Sequence, residues 1–137
     1  MLRTYLERSV ALLAEDYKKY ARIYWETLPD YVKALAEGVY LYISRTALDS
    51  KAPFVVEYDV LREFIEMAAE GKYSRPRDIH SIIKRRISDL VRPDSYGRTL
   101  EEIGIAVTVD SGGKIKISVE PDVLLRFMNN VDLGDIG

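Results

Sequence analysis

The chain has 137 residues, 47% hydrophobic and 31% charged, which is enough for one domain with a core of its own. It holds no cysteine and one histidine, His80, which excludes a disulfide scaffold, a thiolate metal site, a cysteine nucleophile and any site needing two imidazoles. The formal net charge of −2, from 20 basic and 22 acidic side chains, argues on its face against a polyanion partner.

The first 28 residues carry a helical stripe. Leu2, Leu6, Val10 and Leu13 recur at three- and four-residue spacing, and Tyr17, Tyr20 and Tyr24 extend it. Pro29 closes that helix and opens a short one over Tyr31–Glu37, with Gly38 as its C-terminal cap. In Val39–Arg45, Val39, Leu41 and Ile43 alternate with Tyr40, Tyr42 and Ser44, which predicts a strand. Continuation of the helix through Thr46 is the competing reading. Phe54–Tyr58 is a second β-rich run and a hairpin partner for the first.

Asp59 can cap a helix over Val60–Glu70, ended by Gly71. Ser74 and Pro76 open the next helix, whose apolar stripe is Ile79, Ile82, Ile83, Ile87, Leu90 and Val91, and which ends near Arg92-Pro93. A short helical turn at Thr99–Ile103 precedes the clearest element, a hairpin of Ile105–Val109 and Lys114–Val119 around Asp110-Ser111-Gly112-Gly113. A last helix covers Val123–Met128. Residues 129–137 form a short acidic tail that is expected to fray. The fold class expected is α+β: one small domain, residues 1–128, with several helices packed on a small antiparallel sheet that includes the hairpin 105–119.

Charge is unevenly spread. Residues 1–71 balance at −3, residues 99–137 at −4, and residues 72–98 at +5, with Lys72, Arg75, Arg77, Lys84, Arg85, Arg86, Arg92 and Arg98 against Asp78, Asp89 and Asp94. At about 100° per residue, Arg77, Ser81, Lys84 and Ser88 share the outer face of the helix, whereas Arg86 falls within its apolar stripe. An arginine there either breaks the helix register, pairs with a carboxylate or points into a cleft. A solvated helix face is the plain reading of these cations. Flanking Arg75, Arg92 and Arg98, all beside turn residues, set an electrostatic footprint for a polyanion against it as an equal reading.

Ten tyrosines are the second feature. Tyr73 and Tyr96 lie in loops at either end of the basic helix, placed for bases to stack on them, and Tyr40 and Tyr42 would share one sheet face if their segment were a strand. Tyr17, Tyr20, Tyr24 and Trp25 read as packing, either within the domain or against a second copy, so a homo-oligomer is expected. Helices followed by a β-ribbon also have the order of a winged helix, with Lys114 and Lys116 on one face of the ribbon, although Glu101-Glu102 would repel duplex DNA. No catalytic spacing emerges. The carboxylates Glu63, Glu66 and Glu70 read as a solvated face, and His80 as a partly buried structural imidazole. The chain is therefore read as a non-enzyme needing no cofactor and no metal.

The absence of glutamine, with asparagine only at Asn129 and Asn130 and abundant mixed charge, is a thermophile's composition. No apolar run reaches the roughly 18 residues of a membrane span, and no signal-peptide core opens the chain, so a cytoplasmic protein is expected. The run Tyr58-Asp59-Val60-Leu61-Arg62-Glu63-Phe64-Ile65 through Glu70-Gly71-Lys72-Tyr73-Ser74-Arg75-Pro76-Arg77-Asp78 resembles the central segment of the crenarchaeal single-stranded-DNA-binding proteins of the ThermoDBP type. The resemblance spans residues 30–128 in element order. It implies helices around a small antiparallel sheet, a cleft for single-stranded DNA, and roles in it for Lys72, Tyr73, Arg75, Arg77 and Lys84-Arg85-Arg86. The C-terminal zipper of the founding members has no counterpart after Met128, which places the chain nearer the shorter related proteins. Together these readings give single-stranded DNA, or RNA as the other single strand, as the expected partner. Arg75, Arg77, Lys84, Arg85, Arg86 and Arg98 would hold phosphates, and Tyr73, Tyr96, Tyr40 and Tyr42 would stack bases.

Overall fold

A computed structural model describes residues 25–46 and 52–135, with side chains through residue 131. The expected first helix therefore lies outside the described residues except for its end. There Trp25 and Leu28 are buried, and the Trp25 ring meets Phe127 at 5.8 Å between centroids. The tyrosine stripe of residues 17–24, and with it the expected surface for a second copy, is likewise outside them.

The architecture is mixed α+β, with helices around a three-stranded antiparallel sheet. Helix α1 runs Asp30–Thr46. This corrects both the short helix 31–37 and the strand 39–45. Val32, Leu35, Ala36, Val39 and Ile43 form one continuous buried stripe at three- and four-residue spacing, and that helical period prevails over a two-residue alternation only seven residues long. Gly38 is not a cap. It lies mid-helix, where a Cβ would stand 2.5 Å from Ile65 Cγ1 and 2.8 Å from Ile65 Cα, so only glycine lets α1 approach its neighbour this closely.

Strand β1, Phe54–Glu57, leads directly into α2, Tyr58–Ala69. Glu57 stands at the N-cap of α2, in place of the expected Asp59, and makes no side-chain cap bond. Gly71, at φ 85°, turns the chain out of α2. Three 3₁₀-like bonds through Arg75, Pro76 and Arg77 then introduce α3, Asp78–Arg85, so Ser74 does not cap it. The single helix expected to Arg92 divides at Arg86, whose φ of −101° and ψ of 16° leave the helical well, and α4 follows over Ile87–Val91. Of the three fates open to an arginine in the apolar stripe, the register break is the one observed, and it puts Arg86 on the surface.

Helix α5, Tyr96–Glu102, begins three residues before the expected turn. Strands β2, Ile105–Val109, and β3, Ile115–Val119, form the expected hairpin. β1 pairs with β3, not with residues 39–45, giving the order β1-β3-β2 with Val56 opposite Ile117 and Val107 opposite Ile117 on the other side. Val56, Ile105, Val107, Ile117 and Val119 turn one sheet face into the core, where Leu61, Ile65, Ile79, Ile83, Leu100 and Leu124 meet it. Helix α6, Pro121–Asp135, outlasts its expected end at Met128, and buried Val131 explains why the chain stays helical there. No helix among the described residues is long and apolar enough to cross a membrane.

Candidate nucleic-acid interface

The eight cations of residues 72–98 divide into two classes. Lys72 is half-buried: its ammonium donates to Glu37 Oε2 at 2.8 Å and to the Ala68 carbonyl at 3.2 Å, tying the end of α2 to α1. Arg75 pairs with Asp78 at 3.1 Å, and Arg98 with Glu102 at 3.7 Å. Arg92 holds both oxygens of Asp94, at 3.1 and 2.9 Å. That two-pronged bond keeps the Asp94 carboxyl below the usual aspartate range. Arg77, Lys84, Arg85 and Arg86 are exposed and form no ion pair among the described residues. Lys84 and Arg85 lie on the last turn of α3, Arg77 stands at its N-terminal cap and Arg86 at its break, so the unpaired positive charge of the region is distributed around this one helix.

Of the tyrosines expected at the two ends of this helix, Tyr96 packs on a third, Tyr31, that the sequence reading did not single out. Tyr31, on the first turn of α1, is buried, and its ring meets Tyr96 edge to face at 6.2 Å and 88°. Burial, then Asp89 and Tyr96, push the Tyr31 phenol up to about 12, while Arg86 acts in the opposite direction and Tyr73 adds a smaller push upward. Asp89, Tyr96, Arg86 and Tyr73 are thus the charged and phenolic groups near Tyr31, and Tyr96 is the one whose ring touches it. Tyr73 is itself raised, by burial and then by Asp30. Tyr73 and Tyr96 are half-buried, each packed on the core with part of its surface open.

Tyr40 and Tyr42 do not share a face. Two residues apart on α1, they point roughly 200° apart around the helix. Tyr42 packs against Phe64 at 5.5 Å and Phe54 at 6.2 Å, closing the seam between α1, α2 and β1. Tyr40 is half-buried against the core. The stacking sheet face expected for them is thus replaced by helix packing.

His80 is buried and fully bonded. Its Nδ1 lies 2.6 Å from the Tyr58 hydroxyl and its Nε2 2.7 Å from Glu66 Oε1. Burial pushes the Tyr58 phenol far above the ordinary tyrosine range, with Arg62 opposing and Glu66 and Asp59 adding to it. The relay therefore presents a neutral phenol and works as a polar tie between α2 and α3. It fixes the helix that carries the exposed cations. Glu66, read from sequence as solvated, is in fact one end of this tie. No group of three or more His, Cys, Asp or Glu side chains among the described residues is placed to hold a metal ion.

Lys84 also forms part of the wall of an open cleft of about 410 Å³, between α3, the start of α2 and the hairpin turn. In that turn Asp110 Oδ1 accepts the backbone N–H groups of Gly112 and Lys114, both at 2.9 Å, and those bonds hold its carboxyl below the ordinary aspartate range. The turn lysines are paired, Lys114 with Glu57 at 3.3 Å and Lys116 with Asp110 at 3.9 Å. Comparison with protein-family models, with curated proteins and with solved structures gives no match for this chain.

Proposed function

We propose that this chain binds single-stranded nucleic acid, DNA foremost, with little dependence on sequence. The observation that carries the reading is the set of four exposed cations without carboxylate partners among the described residues, Arg77, Lys84, Arg85 and Arg86, of which Arg86 lies close to Tyr31, whose ring meets Tyr96. Cations that already hold a carboxylate give a phosphate little net attraction, whereas unpaired ones spread around α3 offer a flexible strand, which can wrap, a track of positive charge. The exposed parts of half-buried Tyr73 and Tyr96 would offer ring surface to unstacked bases, each stack worth roughly 1–3 kcal/mol. The Tyr58–His80–Glu66 tie holds the track against the core, so no ordering of α3 is needed on binding. Association into a homo-oligomer belongs to the same proposal, and light scattering measures it directly.

A duplex-binding reading draws on the sheet. The order β1-β3-β2, with helices ahead of the hairpin, fits a winged helix, to which α6 after the hairpin is an addition. Two features rank it second. The helix directly before the hairpin ends in the exposed pair Glu101 and Glu102, and the ribbon lysines are already engaged by Glu57 and Asp110. Competition between a labelled single strand and its unlabelled duplex separates the two readings. Single strand winning, with Arg85→Ala and Arg86→Ala each weakening it several-fold and Arg92→Ala having little effect, is the expected outcome. Duplex winning selects the winged-helix reading, and no binding of either removes both.

A further inference from the structure

The open cleft beside Lys84 adds a question of base preference, and the answer rests on the strand-binding reading above. Its volume of about 410 Å³ lies in the range of roughly 300–1,000 Å³ that small-molecule sites occupy. Its charged lining comprises Glu57, Asp59, Lys84, Asp110 and Lys114, with Ile115 as an apolar wall. These charges are not equally available. Asp110 is committed to the amides of its own turn and to Lys116, and Lys114 is committed to Glu57. What remains is one unpaired cation, Lys84, together with the exposed carboxylate of Asp59 and the Glu57 oxygen that Lys114 does not take. Lys84 is exposed at this wall, so a phosphate paired with it sits at the mouth of the cleft.

We propose that the cleft receives one base of the bound strand and favours bases whose amino group stands at pyrimidine C4 or purine C6, cytosine and adenine, over thymine and uracil. The polarity of the site dictates the orientation. Carboxylates repel phosphate, so the backbone stays on the Lys84 side and the base edge turns inward. Ionised carboxylates only accept hydrogen bonds. The amino groups of cytosine N4 and adenine N6 donate to them, whereas the O4 carbonyl of thymine or uracil brings lone pair against lone pair. The contact is an open, hydrated one, so the preference is modest, roughly fivefold, and is superimposed on binding that the phosphates supply.

The test compares oligo-dC with oligo-dU of equal length, which differ in the group at pyrimidine C4 and the N3 proton that goes with it. Fluorescence anisotropy is expected to show oligo-dC bound about fivefold more tightly. In the Glu57→Gln, Asp59→Asn double variant the two converge, and oligo-dU binding stays level or rises because Lys114 is released. Lys84→Ala weakens both oligomers alike. Should the double variant fail to fold by circular dichroism, Asp59→Asn alone carries the comparison, because that side chain is exposed and makes no bond among the described residues. Equal affinity in the parent chain, or a preference that survives the carboxylate substitutions, overturns the cleft proposal while leaving strand binding intact. Failure to bind either oligomer removes the strand-binding reading itself.

Discussion

Tyr31 lies beneath the edge of Tyr96, and the loss of water around its hydroxyl outweighs the nearby Arg86 guanidinium, so its phenol is pushed up to about 12. The folded chain consequently keeps a proton there that the unfolded chain, titrating near the ordinary tyrosine value of about 10, has already lost. By linkage the group costs nothing below pH 10, and stability falls as pH rises from about 10 through about 12. Absorbance titration near the tyrosinate band is expected to resolve a late class of phenols in the folded protein, and Tyr31→Phe removes one member of it. A single step near pH 10 in the folded chain would contradict the burial described. The same burial keeps Tyr31 from stacking on a base itself, and its edge-to-face contact holds the ring of Tyr96.

Helix α1 shows what one element depends on. Its contact with α2 is the most extensive between helices, and Gly38 is the point of closest approach. Gly38→Ala would gain up to about 1 kcal/mol of helix propensity. Its methyl group, however, would overlap the Ile65 backbone, which cannot rotate away as a side-chain tip could, so the helices must part. The net effect expected is a destabilisation of about 2 kcal/mol in denaturant unfolding, and an unchanged or raised midpoint would refute the packing account. This residue also marks where the sequence was hard to read. Val39–Arg45 satisfies a two-residue period and a helical one at once, and Gly38 at its start looks like a cap when its partner Ile65 is out of sight. The hairpin posed no such problem, because Asp110-Ser111-Gly112-Gly113 carries its turn chemistry locally. β1 was legible as a strand while its partner, some sixty residues onward, was not.

At the scale of the whole molecule, the near-neutral total conceals both a basic segment and a second neutralisation within it. Uneven charge along the chain is visible by counting, and so are the local pairs Arg75 with Asp78 and Arg98 with Glu102, at helical spacing. The pairing of Lys72 with Glu37 across 35 residues is visible only in the fold, as is the packing of Tyr96 on Tyr31. The fold thus narrows eight candidate cations to four, and the central claim is that these four carry the phosphate contacts. The salt dependence of single-strand affinity measures that number directly. Four contacts at about −0.7 each give a slope near −3 for the logarithm of affinity against the logarithm of salt concentration. A slope near −3 that becomes shallower by about 0.7 on Arg85→Ala is the result predicted. A slope of roughly −5 or steeper, which would need the paired cations as well, or one near zero, would contradict it.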